Sequence, residues 1–135
     1  METLPRISEY MDTVVPTLGP ETPILDAVDF LLEHRVTGAP VVDSGGQLIG
    51  IITETDLLKL VTEGIEGEPP TEATVAEFMT TDVITVPPTV DIYYIAGMFL
   101  ANKFRRLPVV EDGRIVGAIT RYDLLRVTRK LLALS

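Results

Sequence analysis

Apolar residues recur at Ile24, Ala27, Val28, Leu31 and Leu32, the i, i+3, i+4, i+7, i+8 spacing that lines one face of an α-helix. The same spacing returns at Ile92, Ile95, Ala96, Phe99 and Leu100. Each stripe predicts a helix with one buried face. Each is followed by a short run suited to a strand, Ala39–Val42 and Leu107–Val110, then an acidic-glycine turn and a return run, Gln47–Thr53 and Arg114–Thr120. Ahead of the helices, Val14–Leu18 and Val83–Val86 read as short strands, each soon followed by proline. A last helix with a leucine-rich tail begins after each hairpin, and short helical leads stand at Ile7–Met11 and Val75–Met79. The pattern predicts β-α-β-β-α twice over, an α+β fold.

The two halves repeat residue by residue. Pro40-Val41-Val42 returns as Pro108-Val109-Val110, and Gly50-Ile51-Ile52-Thr53-Glu54-Thr55-Asp56-Leu57-Leu58 as Gly117-Ala118-Ile119-Thr120-Arg121-Tyr122-Asp123-Leu124-Leu125. At an offset of about 68 residues Met11 meets Met79, Thr17 meets Thr85 and Ile24 meets Ile92. One residue must be skipped near Gly46. Repeat one covers 7–61 and repeat two 75–134, joined by a Gly-, Pro- and Glu-rich stretch at 62–74 that reads as an exposed acidic linker. A repeat of about 60 residues is too small to hide its own apolar surface. Two sheets packed together with pseudo-twofold symmetry would solve this.

Composition removes several classes of function. A net charge of −9 argues against a nucleic-acid surface, and the absence of cysteine excludes disulfides and thiolate zinc sites. The single histidine, His34, falls at a helix end aligned with Asn102 and reads as a helix-terminal residue, not a catalytic one. There is no nucleophile–base pair and no Gly-rich phosphate loop, so an enzyme is disfavoured and no cofactor is required. Neither a transmembrane run nor a signal-peptide core is present, and a cytoplasmic protein is expected. Tyr93, Tyr94, Phe30 and Met98 fall outside the main stripes and suggest a subunit interface.

The Thr-x-x-Asp pairs, Thr53/Asp56 and Thr120/Asp123, have the spacing of a capping box, with Thr at the N-cap and an acidic side chain at N3. On that reading they only start a helix.

The order of these motifs resembles the CBS domain, named for cystathionine β-synthase. Two in tandem resemble a CBS pair, or Bateman module, over nearly the whole chain. Ile95 departs from the small alanine usual at its position, which should alter packing. The resemblance implies a non-catalytic sensor that binds an adenosine-containing ligand between the repeats and modulates a partner protein. AMP, ADP or ATP are favoured, and S-adenosylmethionine or NAD are alternatives. It also implies a homodimer formed through helices.

In the family the Asp accepts the ribose hydroxyls and the Thr meets phosphate. An ionised carboxylate suits a diol, and a helix N-terminus suits an anion. Asp123 and Asp56 are thus candidate ribose residues. The phosphate candidates are Thr120, Arg121, Arg105, Arg106 and Thr53. Around the base, Ala118, Val36, Thr37, Thr13 and Val15 are expected at the Asp123 site, and Ile51, Phe104, Thr81 and Val83 at the Asp56 site. Arg121 opposes its own helix dipole, so helix stability alone does not explain it, whereas Glu54 in repeat one suits the dipole and would repel phosphate. The Asp123 pocket is therefore expected to prefer phosphorylated nucleotides. The Asp56 pocket is expected to be weaker, empty or suited to a less anionic ligand. Lys103, Arg105 and Arg106 equally suit a solvated helix end. The alternative function is an interaction module with no ligand, its Thr-x-x-Asp pairs serving only as caps.

Overall fold

The structure is a computed structural model and describes residues 4–63 and 72–134. Its elements are a 3₁₀ turn at Ile7–Glu9, α1 (Ile24–His34), β1 (Gly38–Val42), β2 (Leu48–Thr53), α2 (Glu54–Glu63), α3 (Val75–Phe78), α4 (Ile92–Ala101), β3 (Arg106–Glu111), β4 (Arg114–Thr120) and α5 (Arg121–Ala133). β1 pairs with β2 and β3 with β4, each as an antiparallel hairpin. The fold is α+β, as the alternating periods predict. Thr62 and Glu63 complete α2, while residues 64–71, most of the acidic linker, lie outside the described residues.

The hairpin turns explain the single gap between the repeats. In the second, consecutive Asp112 and Gly113 both take positive φ, 53° and 79°, as a two-residue primed turn requires. The first is longer. Asp43 Oδ1 accepts the N–H groups of Gly45 and Gln47, both at 2.9 Å, and Gly46 takes φ 83°. Both hairpins carry a bulge at the same place. Val41 faces Gly50 but Val42 faces Leu48, and Val109 faces Gly117 but Val110 faces Ile115.

Two expectations need correction. The strands predicted at Val14–Leu18 and Val83–Val86 shrink to single parallel bridges, Leu18 to Val41 and Val86 to Val109. Pro16, Pro20, Pro87 and Pro88 lie around them and lack the N–H a longer ladder needs. The helical stripes are also narrower than predicted. Ala27, Leu31, Ile95 and Phe99 are buried, but Leu32 is 70% and Leu100 85% exposed. At 3.6 residues per turn, position i+8 lies about 80° around the helix from position i, at the edge of the face.

The chain folds as two compact units, Met1–Val15 with Ile84–Ser135, and Pro16–Val83. Neither coincides with a sequence repeat. Each combines the hairpin and helices of one repeat with the lead of the other. In the first unit Ile7 is buried among Val86, Ile92, Ile95, Phe99, Leu107, Val109, Ile119 and Val127. In the second Val75 is buried among Leu18, Ala27, Leu31, Ala39, Val41 and Ile52. Ile95 thus widens one core at the position where Ala27 serves the other.

Backbone bonds fix each exchanged lead. Asp12 and Ala118 exchange two N–H···O bonds of 2.9 Å, and Thr80 and Ile51 two of 2.8 Å. The repeated glycines make room for this approach. A Cβ on Gly117 would lie 2.5 Å from Met11 Sδ and 2.9 Å from the Asp12 carbonyl oxygen. On Gly50 it would lie 2.7 Å from Met79 Sδ and 3.0 Å from the Thr80 carbonyl oxygen. The repeated Met and the repeated Gly are therefore partners across repeats, with Met11 serving Gly117 and Met79 serving Gly50.

Candidate functional site at the two capped helices

Each return strand ends on a threonine, and the next helix starts at once. At α5 the Thr120 N–H and hydroxyl both donate to Asp123 Oδ2, each at 2.9 Å, and the Asp123 N–H returns to Thr120 Oγ1 at 3.2 Å. This is a closed capping box. At α2 the Thr53 N–H and hydroxyl donate to Asp56 Oδ2 at 2.9 and 3.1 Å, and the Asp56 N–H reaches Thr53 Oγ1 at 3.4 Å. Both aspartates are buried, at 9% exposure for Asp56 and 8% for Asp123. A hydroxyl carries one proton, and here each threonine directs it to its own carboxylate. Either threonine must turn that proton away before it can donate to a phosphate.

The second carboxylate oxygen distinguishes the copies. Asp56 Oδ1 accepts the Thr80 hydroxyl at 3.1 Å. The position equivalent to Thr80 in the other unit is Asp12, which has no hydroxyl to offer; its own carboxylate accepts the Val14 N–H at 3.0 Å. Asp123 Oδ1 instead faces Arg126 Nη2 at 3.4 Å. Neither Thr80 nor Arg126 stands out in the sequence. Each was visible only as a difference between copies, Thr80 against Asp12 and Arg126 against Lys59.

Arg121 makes bonds that its sequence did not announce. Its Nη2 donates to the carbonyls of Phe99 at 2.7 Å and Asn102 at 3.1 Å, and its Nε to that of Phe104 at 3.0 Å. The guanidinium lies over the Phe99 ring, 5.4 Å from its centroid. It closes the C-terminal end of α4, where carbonyls lack intrahelical donors and the dipole favours a cation. The unfavourable position in α5 is thus offset by a favourable one at α4. α1 needs no such group. It ends with Arg35 in the left-handed region, φ 53°, while the Arg35 and Val36 N–H groups return to Leu32 and Leu31. α4 ends with Asn102 extended, and its side-chain amide donates to the Met98 carbonyl at 2.9 Å. The Arg121/Glu54 difference between copies therefore tracks how the preceding helix ends.

Arg106 opposes Thr120 across the β3–β4 pair, and its Nε is buried with no acceptor among the described residues. Arg105, beside it, is exposed. The proposed base-pocket residues divide between the units. Thr13, Val15 and Ala118 share the first unit with Asp123, while Ile51, Thr81 and Val83 share the second with Asp56. Val36 and Thr37 belong to the second unit, where the Thr37 carbonyl accepts the Glu54 N–H at 2.8 Å. Phe104 belongs to the first and meets Phe99 edge-on, centroids 6.1 Å apart. Ala118 is fully buried and Thr13 exposed. Of the aromatic and methionine residues read as an interface, Tyr93 and Tyr94 are exposed. Met98 packs partly on the first core, and Phe30 stacks tilted on His34 at 4.3 Å. No helix among the described residues is long and apolar enough to cross a membrane.

A duplicated α+β unit with a Thr/Asp capping box at each final helix defines a tandem repeat protein. The family model described as CBS domain matches residues 7–63 and again 75–130, and the chain belongs to that family as a CBS pair. The uncharacterized protein MJ1225 of Methanocaldococcus jannaschii is 35% identical over 90% of this chain and 42% of its own length. The chloroplastic CBS domain-containing protein CBSX2 of Arabidopsis thaliana is 30% identical over 83% of this chain and 58% of its own. The chain thus spans roughly half the length of these relatives. CBS domain-containing protein YhcV of Bacillus subtilis, 29% identical, is matched over 81% of its length. Among solved structures, CBSX2 in complex with AMP superposes with a TM-score of 0.81 at 30% identity, covering 94% of this chain and 98% of that one. The CBS domain pair of MJ0100, in complex with 5′-methylthioadenosine and S-adenosyl-L-methionine, gives 0.77 at 26% identity, covering 95% and 98%.

Proposed function

We propose that the chain is a non-catalytic sensor that binds an adenosine-containing ligand, AMP, ADP or ATP in preference, and modulates a partner protein as a homodimer in the cytoplasm. The observation that carries this reading is a pair of incompletely used groups on two neighbours of Thr120, its cap partner Asp123 and its strand partner Arg106. Asp123 Oδ1 has one long contact, at 3.4 Å, and Arg106 Nε is a buried donor with no acceptor among the described residues. An acceptor for a diol and a donor for an anion are what a nucleotide needs. The AMP complex of CBSX2 and the S-adenosyl-L-methionine complex of MJ0100 support the same ligand class. The Asp56 site is the weaker one, because Thr80 already occupies its second carboxylate oxygen. Asp123 takes the ribose, Arg106 with Arg105 and Thr120 the phosphate, and Ala118, Thr13 and Val15 stand near the base.

One observation favours the second reading, an interaction module without ligand: both capping boxes are closed and account for the Thr-x-x-Asp spacing repeated within the chain. Calorimetric titration with AMP, ADP, ATP, NAD and S-adenosylmethionine decides between them. A ligand at 100 times its dissociation constant should raise stability by roughly 2.7 kcal/mol. Asp123→Ala should abolish binding while Asp56→Ala preserves it. If no adenosine compound binds at millimolar concentration, the caps are only caps.

A further inference from the structure

Arg126 is a cation that the capping box does not require. It stands on α5 one turn after Asp123, and its side chain is 53% exposed. Its Nη2 donates to the Tyr10 carbonyl at 2.9 Å, 116 positions away in the chain, and reaches Asp123 Oδ1 at 3.4 Å. The first bond is short and anchors the guanidinium on the exchanged lead. The second is long and leaves the carboxylate oxygen with unused lone pairs. In the other copy Lys59 holds the equivalent position, and a hydroxyl from Thr80 meets the carboxylate instead.

We propose that Arg126 is a specificity-determining residue of the Asp123 site: with Asp123 it forms a two-sided clamp for a vicinal diol. This rests on the adenosine-ligand reading above. A hydroxyl that donates to Asp123 Oδ1 must place its oxygen about 2.7 Å from that atom. Arg126 stands beside that same oxygen, with its Nη2 3.4 Å from Oδ1. The hydroxyl oxygen keeps two lone pairs after donating its proton, and a guanidinium donor is the complement it needs. Nε and Nη1 of Arg126 are not engaged by Tyr10 or Asp123, so the clamp forms without releasing the lead. Asp123 alone selects for hydroxyl protons. The pair selects for a hydroxyl that both donates and accepts, which a ribose supplies and a 2′-deoxyribose lacks at one carbon.

The test compares AMP with 2′-deoxy-AMP by calorimetry on the full chain, in wild type, Arg126→Met and Arg126→Lys. Wild type should prefer AMP by about tenfold or more, the scale of one hydrogen bond to a charged group. Arg126→Met should lose part of that preference and keep the share owed to Asp123, and Arg126→Lys should fall between Arg126→Met and wild type. Melting temperatures measured without ligand report the loss of the Tyr10 tether separately, since a tether alone weakens both ligands alike and leaves their ratio unchanged. If Arg126→Met binds AMP with the wild-type preference, the clamp is wrong while the sensor reading stands. If wild type binds neither compound, both are overturned.

Discussion

Replacing Arg121 by glutamine separates its two candidate roles. As a helix cap the guanidinium donates to three carbonyls, at 2.7, 3.0 and 3.1 Å. Two of these bonds are exposed, so water replaces the donor there at small cost. The bond to the Phe99 carbonyl is partly buried, and losing a charged donor at such a site costs on the order of 1.5–3 kcal/mol at full burial. Discounting for partial exposure, and adding a weak contribution from the Phe99 ring, gives about 1–2 kcal/mol for Arg121→Gln. For a chain of this size that lowers the melting temperature by about 5 °C. The assay is urea unfolding without ligand, followed by AMP titration of the same variant. The expected result is a lower midpoint with unchanged m-value and an AMP affinity within about threefold of wild type. An unchanged midpoint with a tenfold loss of AMP affinity would falsify the cap and return Arg121 to the phosphate.

Four further outcomes follow from geometry already described. Gly117→Ala should destabilise the chain by about 1–3 kcal/mol by overpacking, because the obstructing Asp12 carbonyl is backbone and cannot swing aside; calorimetric melting checks it. Gly50→Ala should behave similarly, and Met79→Ala added to it should recover only part of the loss, since the Thr80 carbonyl remains. Arg35→Gly should stabilise by about 1 kcal/mol, as glycine takes φ 53° without the Cβ penalty; an unchanged or lower urea midpoint would contradict that. Thr74→Ala removes the side chain that accepts the Glu77 N–H in the Thr74/Glu77 capping box while the Thr74 N–H keeps Glu77 Oε2 at 2.9 Å, and should cost about 1 kcal/mol in the same titration.

Periodicity carried most of the fold because each element has an amphipathic face of the matching period. The hairpins, both major helices of each half and the gap at Gly46 were all legible. The short strands were not, since a β-rich run beside prolines looks like a strand until its missing N–H groups are counted. The exchange of leads left no pattern that one sequence read alone could decode. Met11 and Met79 were visible as a repeated residue, but nothing said which glycine each one meets. The site was half legible. Thr-x-x-Asp announced its capping boxes by spacing, and Asp123 and Asp56 are where that spacing places them. The cap that Arg121 makes was not legible because its partners are carbonyls of Phe99, Asn102 and Phe104, which any residue type would supply. Arg126 was overlooked for the same reason: its best acceptor is the backbone of Tyr10.

The crossed leads bear on how such a chain could arise. A single ancestral repeat has a lead that cannot fill its own hairpin groove if it is built to fill another's. Two identical molecules could satisfy each other by trading leads. Joining two such genes end to end would keep every one of those contacts and turn an association between molecules into one within a chain. From that moment the copies were free to diverge without losing each other, and residues such as Thr80 and Asp12, or Lys59 and Arg126, could take separate paths while Met11 and Met79 continued to match their glycines.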